Sequence, residues 1–332
     1  MSATVERDES RLERWSRRAL TIPLYAAGWL VSLAVAPFAA LWLALFGGVV
    51  ARLALYAAVF LSYEMVGLAA AAWLFATGHA RDKEAHAGLQ RWWASGLFRA
   101  AARVFSLELE VSGREAVGSG PVVVLVRHAS LADTLLPEVV LAQGHDLRLR
   151  YVLKRELLFD PCLDVVGQRL GCAFIRRGSG ETERELAAIA ALGRGLGPRE
   201  GALIYPEGTR VTPEKQKRAL ERIAASGQTG RLTRVSALRH VLPPRTAGPL
   251  ALLEAAAPAD VLWLAHTGLE GLATLRDVLS GGIIGRRIQV KLWRTPSSVI
   301  PSERGAAVRW LDAEWAHVDA WIDAAKKGDA SD

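Results

Sequence analysis

Two short stretches of the 332-residue chain carry side chains at spacings suited to acid–base and phosphate chemistry. The first is PVVVLVRHASLADTLLP, residues 121–137, where a run of valines stops at Arg127-His128 and Asp133 follows five residues after the histidine. An imidazole titrates near neutrality, and a carboxylate that holds it fixes its tautomer and raises its proton affinity, as a general base requires. Residues i and i+5 do not stack on a regular helix, so the pairing needs a loop that enters a helix and folds Asp133 back towards His128. The same stretch also has a plainer reading. Ser130 and Asp133 form an S-x-x-D capping pattern that would start a helix at residue 131. The two readings are compatible, and capping does not account for Arg127-His128 at a strand end.

The second stretch is IYPEGTR, residues 204–210. Pro206 stiffens the turn after Tyr205, Gly208 lets the backbone approach a ligand closely, and Arg210 offers a fork of donors suited to phosphate. By itself EGTR also reads as a turn with a surface ion pair. Lys154 and Arg177, on neighbouring predicted loops, tip the balance towards a phosphate pocket beside a general base.

These residues need a scaffold that brings them to one place. From about Leu107 short apolar runs alternate with helical stretches. The runs at 107–111, 121–126, 148–153, 172–176, 201–205, 238–242, 260–266 and 287–293 predict strands. Helices are predicted at 133–143, 161–169, 181–195, 213–226, 247–256, 270–279 and 303–325. The alternation predicts an α/β fold: a layered, mostly parallel sheet flanked by helices. Ligands of such sheets sit beyond the C-terminal strand ends. The loops after four predicted strands then carry Arg127 to Asp133, Lys154-Arg155-Glu156, Arg177-Gly178 and Pro206 to Arg210.

In front of this domain lies an apolar region. No charged residue occurs from Leu20 to Val50, and a second stretch from Leu53 to Thr77 holds one acid, Glu64. Each exceeds the roughly 20 residues needed to cross a hydrocarbon core, and Gly47-Gly48 suits a turn between them. A cleaved signal peptide has a much shorter apolar region. The expected organisation is a basic polar segment (1–19), a membrane helical hairpin (20–78), an interfacial or connecting helix (79–106), the α/β domain (107–326) and a tail (327–332). Residues 87–105 mix Trp92, Trp93, Phe98 and Phe105 with Arg91, Arg99 and Arg103, which suits a headgroup layer and equally a helix packed on the domain. Arg11, Arg14, Arg17 and Arg18 before the first stretch, and Arg81 and Lys83 after the second, place both ends in the cytoplasm. Hydropathy does not decide between a crossing and a re-entrant hairpin. A charge as deep as Glu64 invites a functional reading, but Ser62 and Tyr63 beside it do not define one.

The net charge of +7 points to an anionic partner. No zinc-finger spacing, RNP-like motif or long basic block supports nucleic acid; anionic membrane lipids and phosphorylated substrates remain. Cys162 and Cys172 lack metal spacing, and no further His or Cys joins His128 and Asp133 at ligand spacing, so no metal site is expected. His79, His86, His145, His240, His266 and His317 are scattered and read as structural or surface residues.

Taken in order, HASLAD, GCAFIRR, YPEGTR and HVLPPRTAG resemble the four blocks of the 1-acylglycerol-3-phosphate acyltransferases, over roughly Pro121 to Thr267. The stretch from EGTRVTPEKQ to HVLPPRTAG resembles the branch with lysocardiolipin and lysophosphatidylinositol acyltransferases most, alongside some lysophosphatidate enzymes. The resemblance implies His128 as general base and Asp133 as its orienting carboxylate. It implies Arg177, Gly208, Thr209 and Arg210 at the phosphate of the acceptor, Glu207 ordering that acceptor, and Pro243 shaping the acyl-donor side. Two positions depart from the family pattern: Arg127 stands where Asn is common, and Arg176-Arg177 where Asp/Asn-Arg is common. Both are expected to add positive charge at the pocket. The implied activity is transfer of a fatty acyl group from acyl-CoA or acyl-carrier protein, as substrates rather than cofactors, to a lysophospholipid. The expected location is a membrane, the bacterial inner membrane by the Ala-, Arg- and Leu-rich composition, with the domain on the cytoplasmic side. Oligomeric state is not legible. Two other functions compete: a lipid hydrolase using Ser130, His128 and Asp133, which lacks a G-x-S-x-G elbow, and a non-catalytic membrane adaptor.

Overall fold

The computed structural model describes residues 9–130, 132–142, 145, 147–175, 182–270 and 275–329. Seven strands form one sheet: β1 (Glu108–Ser112), β2 (Val122–Val126), β3 (Arg148–Lys154), β4 (Ala173–Ile175), β5 (Glu200–Ile204), β6 (Asp260–Thr267) and β7 (Arg287–Thr295), in the order β1-β7-β6-β2-β5-β3-β4. Neighbours pair in parallel except β6 with β7. The sheet is therefore mostly parallel and mixed, as the alternating pattern predicts.

The helices are α1 (Arg11–Phe46), α2 (Val49–Ala76), α3 (Lys83–Phe105), α4 (Gln168–Leu170), α5 (Thr182–Gly193), α6 (Pro213–Ala225), α7 (Thr229–Val235), α8 (Ala247–Ala256), α9 (Leu275–Leu279) and α10 (Arg304–Asp329). The central strand β2 reads VVVLV because it is paired on both sides and covered on both faces. Val123 and Leu125 pack towards Ile189, Leu192, Leu252 and Trp315 from α5, α8 and α10. Val122, Val124 and Val126 pack towards Phe98 and Phe105 of α3 and Leu136 and Val140. The period of two thus builds two cores, one on each side of the sheet.

Three predicted elements take other forms. The run 238–242 is not a strand. Its backbone N–H groups at Arg239, His240 and Val241 donate to the carboxylate of Asp319 on α10, so they never reach a neighbouring strand, and Pro243 and Pro244 follow. The helix predicted at 133–143 is a short 3-10 turn (Ala132–Leu135) and a wide π turn (Glu138–Ala142). Pro137 lacks the N–H that a continuous α-helix would direct to residue 133. Likewise 161–169 opens with a π turn (Leu163–Gly167) before α4.

α1 and α2 are both long and apolar enough to cross a membrane. They join at Gly47 and Gly48, whose φ of 68° and 102° favour glycine. α1 exposes Leu24, Leu30, Val31, Phe38, Trp42 and Phe46, a face that water would penalise; the pair supports membrane association. α2 lies along α3 for most of its length. Arg52 donates to the Val104 carbonyl, Tyr56 packs against Phe105 at 5.6 Å, Glu64 accepts from Trp93 Nε1 at 2.8 Å, and the Ala71 carbonyl accepts from Arg169 at 3.0 Å. Trp93, Leu97, Phe98 and Phe105 of α3 are buried while Trp92 is exposed, so α3 is chiefly a packed connector. Closer to the domain, Arg17 and Arg18 of α1 meet the buried carboxylate of Asp164 at 2.9 and 2.7 Å.

Candidate active site

β2, β3, β5 and β6 run parallel and neighbour one another, so the loops that leave them share one edge. After β2, His128 Nδ1 lies 3.1 Å from Asp133 Oδ1. Asp133 is fully buried, and its Oδ2 accepts from the backbone N–H of Ala129 at 2.6 Å and of Ser130 at 2.8 Å. Ser130 Oγ in turn accepts from Ala132 N at 3.1 Å and Asp133 N at 3.2 Å. The cap and the orienting carboxylate are therefore one structure: the capping pair folds the turn that carries Asp133 to the imidazole. Nδ1–H donates to the carboxylate, and among the described residues no group hydrogen-bonds to Nε2. The ring rests 4.8 Å from the ring of buried Tyr205. Ser130 Oγ is committed to backbone donors and makes no hydrogen bond to His128, which does not suit a hydrolytic nucleophile.

The loop after β5 is locked to this turn. Glu207 Oε1 accepts from His128 N at 2.8 Å, and Oε2 accepts from Leu242 N at 2.9 Å. Glu207, expected to order the acceptor, has each carboxylate oxygen engaged by backbone and joins three of the sequence blocks. Burial pushes its carboxyl up to about 8, against the lowering pull of the two backbone donors and of Arg127. Arg245 N donates to the Pro206 carbonyl at 2.8 Å. Gly208 has φ of 69°, and a side chain there would come within 2.8 Å of Arg245 Nε. The glycine thus serves both the turn and the close approach of Arg245.

Beyond this bracket opens a cavity of about 790 Å³. Lys154, Glu207, Gly208, Thr209 and Pro243, all singled out in the sequence, line it. Arg210 follows at its edge, where its carbonyl and Thr209 Oγ1 both accept from Lys215 Nζ, at 3.2 and 3.1 Å. His128 stands one hydrogen bond away through Glu207 rather than in the lining. Arg177, and Arg176 before it, lie outside the described residues.

Arg127 does not add charge to the pocket. It is 1% exposed and turns towards the loop after β6. Its guanidinium donates to the His266 carbonyl at 2.5 Å, to Glu270 Oε1 at 2.8 Å and to the His240 carbonyl at 3.0 Å. Although burial opposes it, Arg127 holds the Glu270 carboxyl far below the usual range. Sequence reasoning also missed His266 as part of the site. It is fully buried at the end of β6, with Nε2 3.6 Å from Asp133 Oδ2 and donating to the Arg127 carbonyl at 3.1 Å. Burial, the leading cause, lowers its ring to about 4, so it is neutral at pH 7. Its position at the end of a strand that pairs with β2 was the available signal. Missed too were Lys215, Arg218 and Arg222, which line the cavity from α6; their spacing of three and four residues marks one helix face.

Comparison with known proteins shows what this stretch of the chain resembles. The family model described as Acyltransferase matches residues 108–245, from β1 through the turn that carries Arg245. This stretch holds every described site residue that the sequence singled out. Over these residues the chain is similar to the acyltransferase family. Among solved structures it is similar to the 1-acyl-sn-glycerophosphate (LPA) acyltransferase, PlsC, from Thermotoga maritima, with 14% identity, a TM-score of 0.47, and coverage of 93% of this chain and 98% of that one.

Proposed function

We propose that the protein moves a fatty acyl group from a thioester, acyl-CoA or acyl-carrier protein, to the free hydroxyl of a lysophospholipid, foremost 1-acylglycerol-3-phosphate, giving phosphatidate. The observation that carries this reading is the imidazole of His128. Its Nδ1 is fixed by Asp133, and its Nε2 has no partner among the described residues, beside a cation-lined cavity. As the acceptor hydroxyl attacks the thioester carbonyl carbon, Nε2 takes its proton. Asp133 stabilises the imidazolium. The tetrahedral intermediate collapses, the C–S bond breaks, and the thiolate leaves and recovers the proton from Nε2. No acyl-enzyme is required, and His128 ends in its starting state.

The phosphate of the acceptor is assigned to Lys154, Thr209, Arg210 and Arg177, where fixed cations supply positioning rather than chemistry. Glu207 acts through the backbone of the catalytic turn. The hairpin is assigned to the membrane that holds both acceptor and product. Because α2 packs along α3, we place the hairpin along the bilayer surface, with the apolar face of α1 towards lipid and both ends on the domain side, in the cytoplasm of a bacterial cell.

The test is acyl transfer by the detergent-purified protein. It is offered oleoyl-CoA or oleoyl-carrier protein with lysophosphatidate, lysophosphatidylinositol, lysophosphatidylglycerol or lysocardiolipin, and products are read by lipid mass spectrometry. A diacyl product that disappears in His128→Ala supports the reading, and the favoured acceptor fixes the head group. If no donor–acceptor pair gives product, transfer to lysophospholipids is wrong and the adaptor reading replaces it.

A further inference from the structure

The cavity holds more positive charge than one acceptor phosphate needs. Five cations line it against three carboxylates, and one of those, Glu207, is committed to backbone N–H groups. The cations fall into two groups. Lys215 is drawn onto Thr209 and the Arg210 carbonyl, and so belongs with the EGTR turn. Arg218 and Arg222 lie further along the same face of α6, exposed and without a carboxylate within 4.0 Å among the described residues. Arg245 reaches the same wall from the other side, over Gly208. Burial first, and the nearby Arg222 next, disfavour the charge on Arg245. Glu185 offsets this only in part, so like charges are gathered here with positive charge in excess over the carboxylates of the lining.

From Lys215 to Arg222 the helix rises about 10 Å. A single phosphate monoester cannot meet both ends, whereas a molecule with several phosphates can. Resting on the acyltransferase reading above, we propose that Arg218, Arg222 and Arg245 form a second anion site, which takes the phosphates of a nucleotide-bearing thioester donor of the coenzyme A type. Guanidinium forks match phosphate oxygens two at a time. The site faces solvent, the side from which a water-soluble donor arrives, while a lipid acceptor arrives from the membrane. A concave, solvent-open cavity of about 790 Å³ suits a small molecule rather than the broad face of a carrier protein.

The test uses the full chain in detergent. Adenosine 3′,5′-bisphosphate, the nucleotide end of such a donor without its thiol, is titrated by calorimetry with inorganic phosphate as the control. Wild type should bind the bisphosphate at least about tenfold more tightly than phosphate, and Arg218→Ala/Arg222→Ala should lose that margin. In steady-state assays the double variant should raise KM for oleoyl-CoA about tenfold and leave KM for lysophosphatidate and for oleoyl-carrier protein unchanged. Both arginines are exposed, so the variant should fold; its melting profile checks this, and Arg218→Lys/Arg222→Lys should recover part of the binding. Equal binding of bisphosphate and phosphate overturns the proposal. So does a rise in KM for lysophosphatidate alone, which would give these arginines to the acceptor, or for the carrier-protein donor alone. Absence of any acyl transfer would count against the activity, while the titration would still decide whether the nucleotide site exists.

Discussion

Buried carboxylates bracket two distant regions of this molecule, and the partners they accept differ. At the junction between hairpin and domain, Asp164 takes Arg17, Arg18 and Gln168, and Glu64 takes Trp93 Nε1 and Cys162 N. The carboxylate oxygens there are engaged and the arginines are balanced. At the strand ends, Asp133 and Glu207 accept mostly neutral backbone N–H groups, and the one titratable donor, His128, keeps a second nitrogen without a partner among the described residues. The first region is a strut, and the second is the proposed reaction centre. What separates them is a titratable ring nitrogen left without a partner among the described residues, not burial or charge.

The comparison is broken most directly by removing that spare nitrogen. His128→Ala should lower kcat by roughly 10²- to 10⁴-fold, the usual contribution of a general base, with little change in the melting profile, because its backbone N–H still reaches Glu207. A variant that keeps full activity would make the histidine part of the strut. The opposite pattern is expected at the junction. Asp164→Ala leaves the largely buried Arg18 without its counter-charge, and Arg17 with Glu9 alone, and should destabilise the fold by about 3–5 kcal/mol, read by chemical denaturation. Its kcat per folded molecule should stay within about a factor of two, as expected for sites without shared partners.

Much of the proposed reaction centre was legible because its residues sit just after strands. The apolar runs locate the strands, and their parallel pairing gathers the loops that carry His128, Asp133, Lys154 and Glu207. The spacing of five in HASLAD is explained by the capping turn, which sequence alone could offer only as a rival explanation. Side-chain direction was not legible. Arg127 looked like a pocket cation but pairs with Glu270, about 140 positions away, and nothing local announces that partner. The run 238–242 looked like a strand because strands and buried loops share apolar composition; only Asp319, far along the chain, shows where its N–H groups go. Glu207 could be recognised, but not that its oxygens face backbone.

A smaller effect sharpens the role of Glu207. In Glu207→Gln one oxygen becomes an NH₂ group, so either His128 N or Leu242 N loses its acceptor. A buried donor left unpaired costs about 1–3 kcal/mol. Activity should fall as well, since the turn that carries His128 loses its tie to the neighbouring loops, and lysophosphatidate KM should move less than kcat. The smallest effect is a difference in pH dependence. Burial raises Glu207 from 4.5 to about 8, so between these values the folded state binds more protons than the unfolded one. Stability from this group therefore falls as pH rises from about 4.5 to 8. Glu138, raised by burial to about 7, has the same sign over most of that window, so the wild-type slope alone does not assign the effect. Subtracting the Glu207→Gln profile does: its stability should decline less steeply across pH 6 to 8, where the protonation of Glu207 differs most. Parallel profiles would mean that Glu207 stays charged throughout, and the mouth would then resemble the junction, a carboxylate fixed by its donors with no proton to give up.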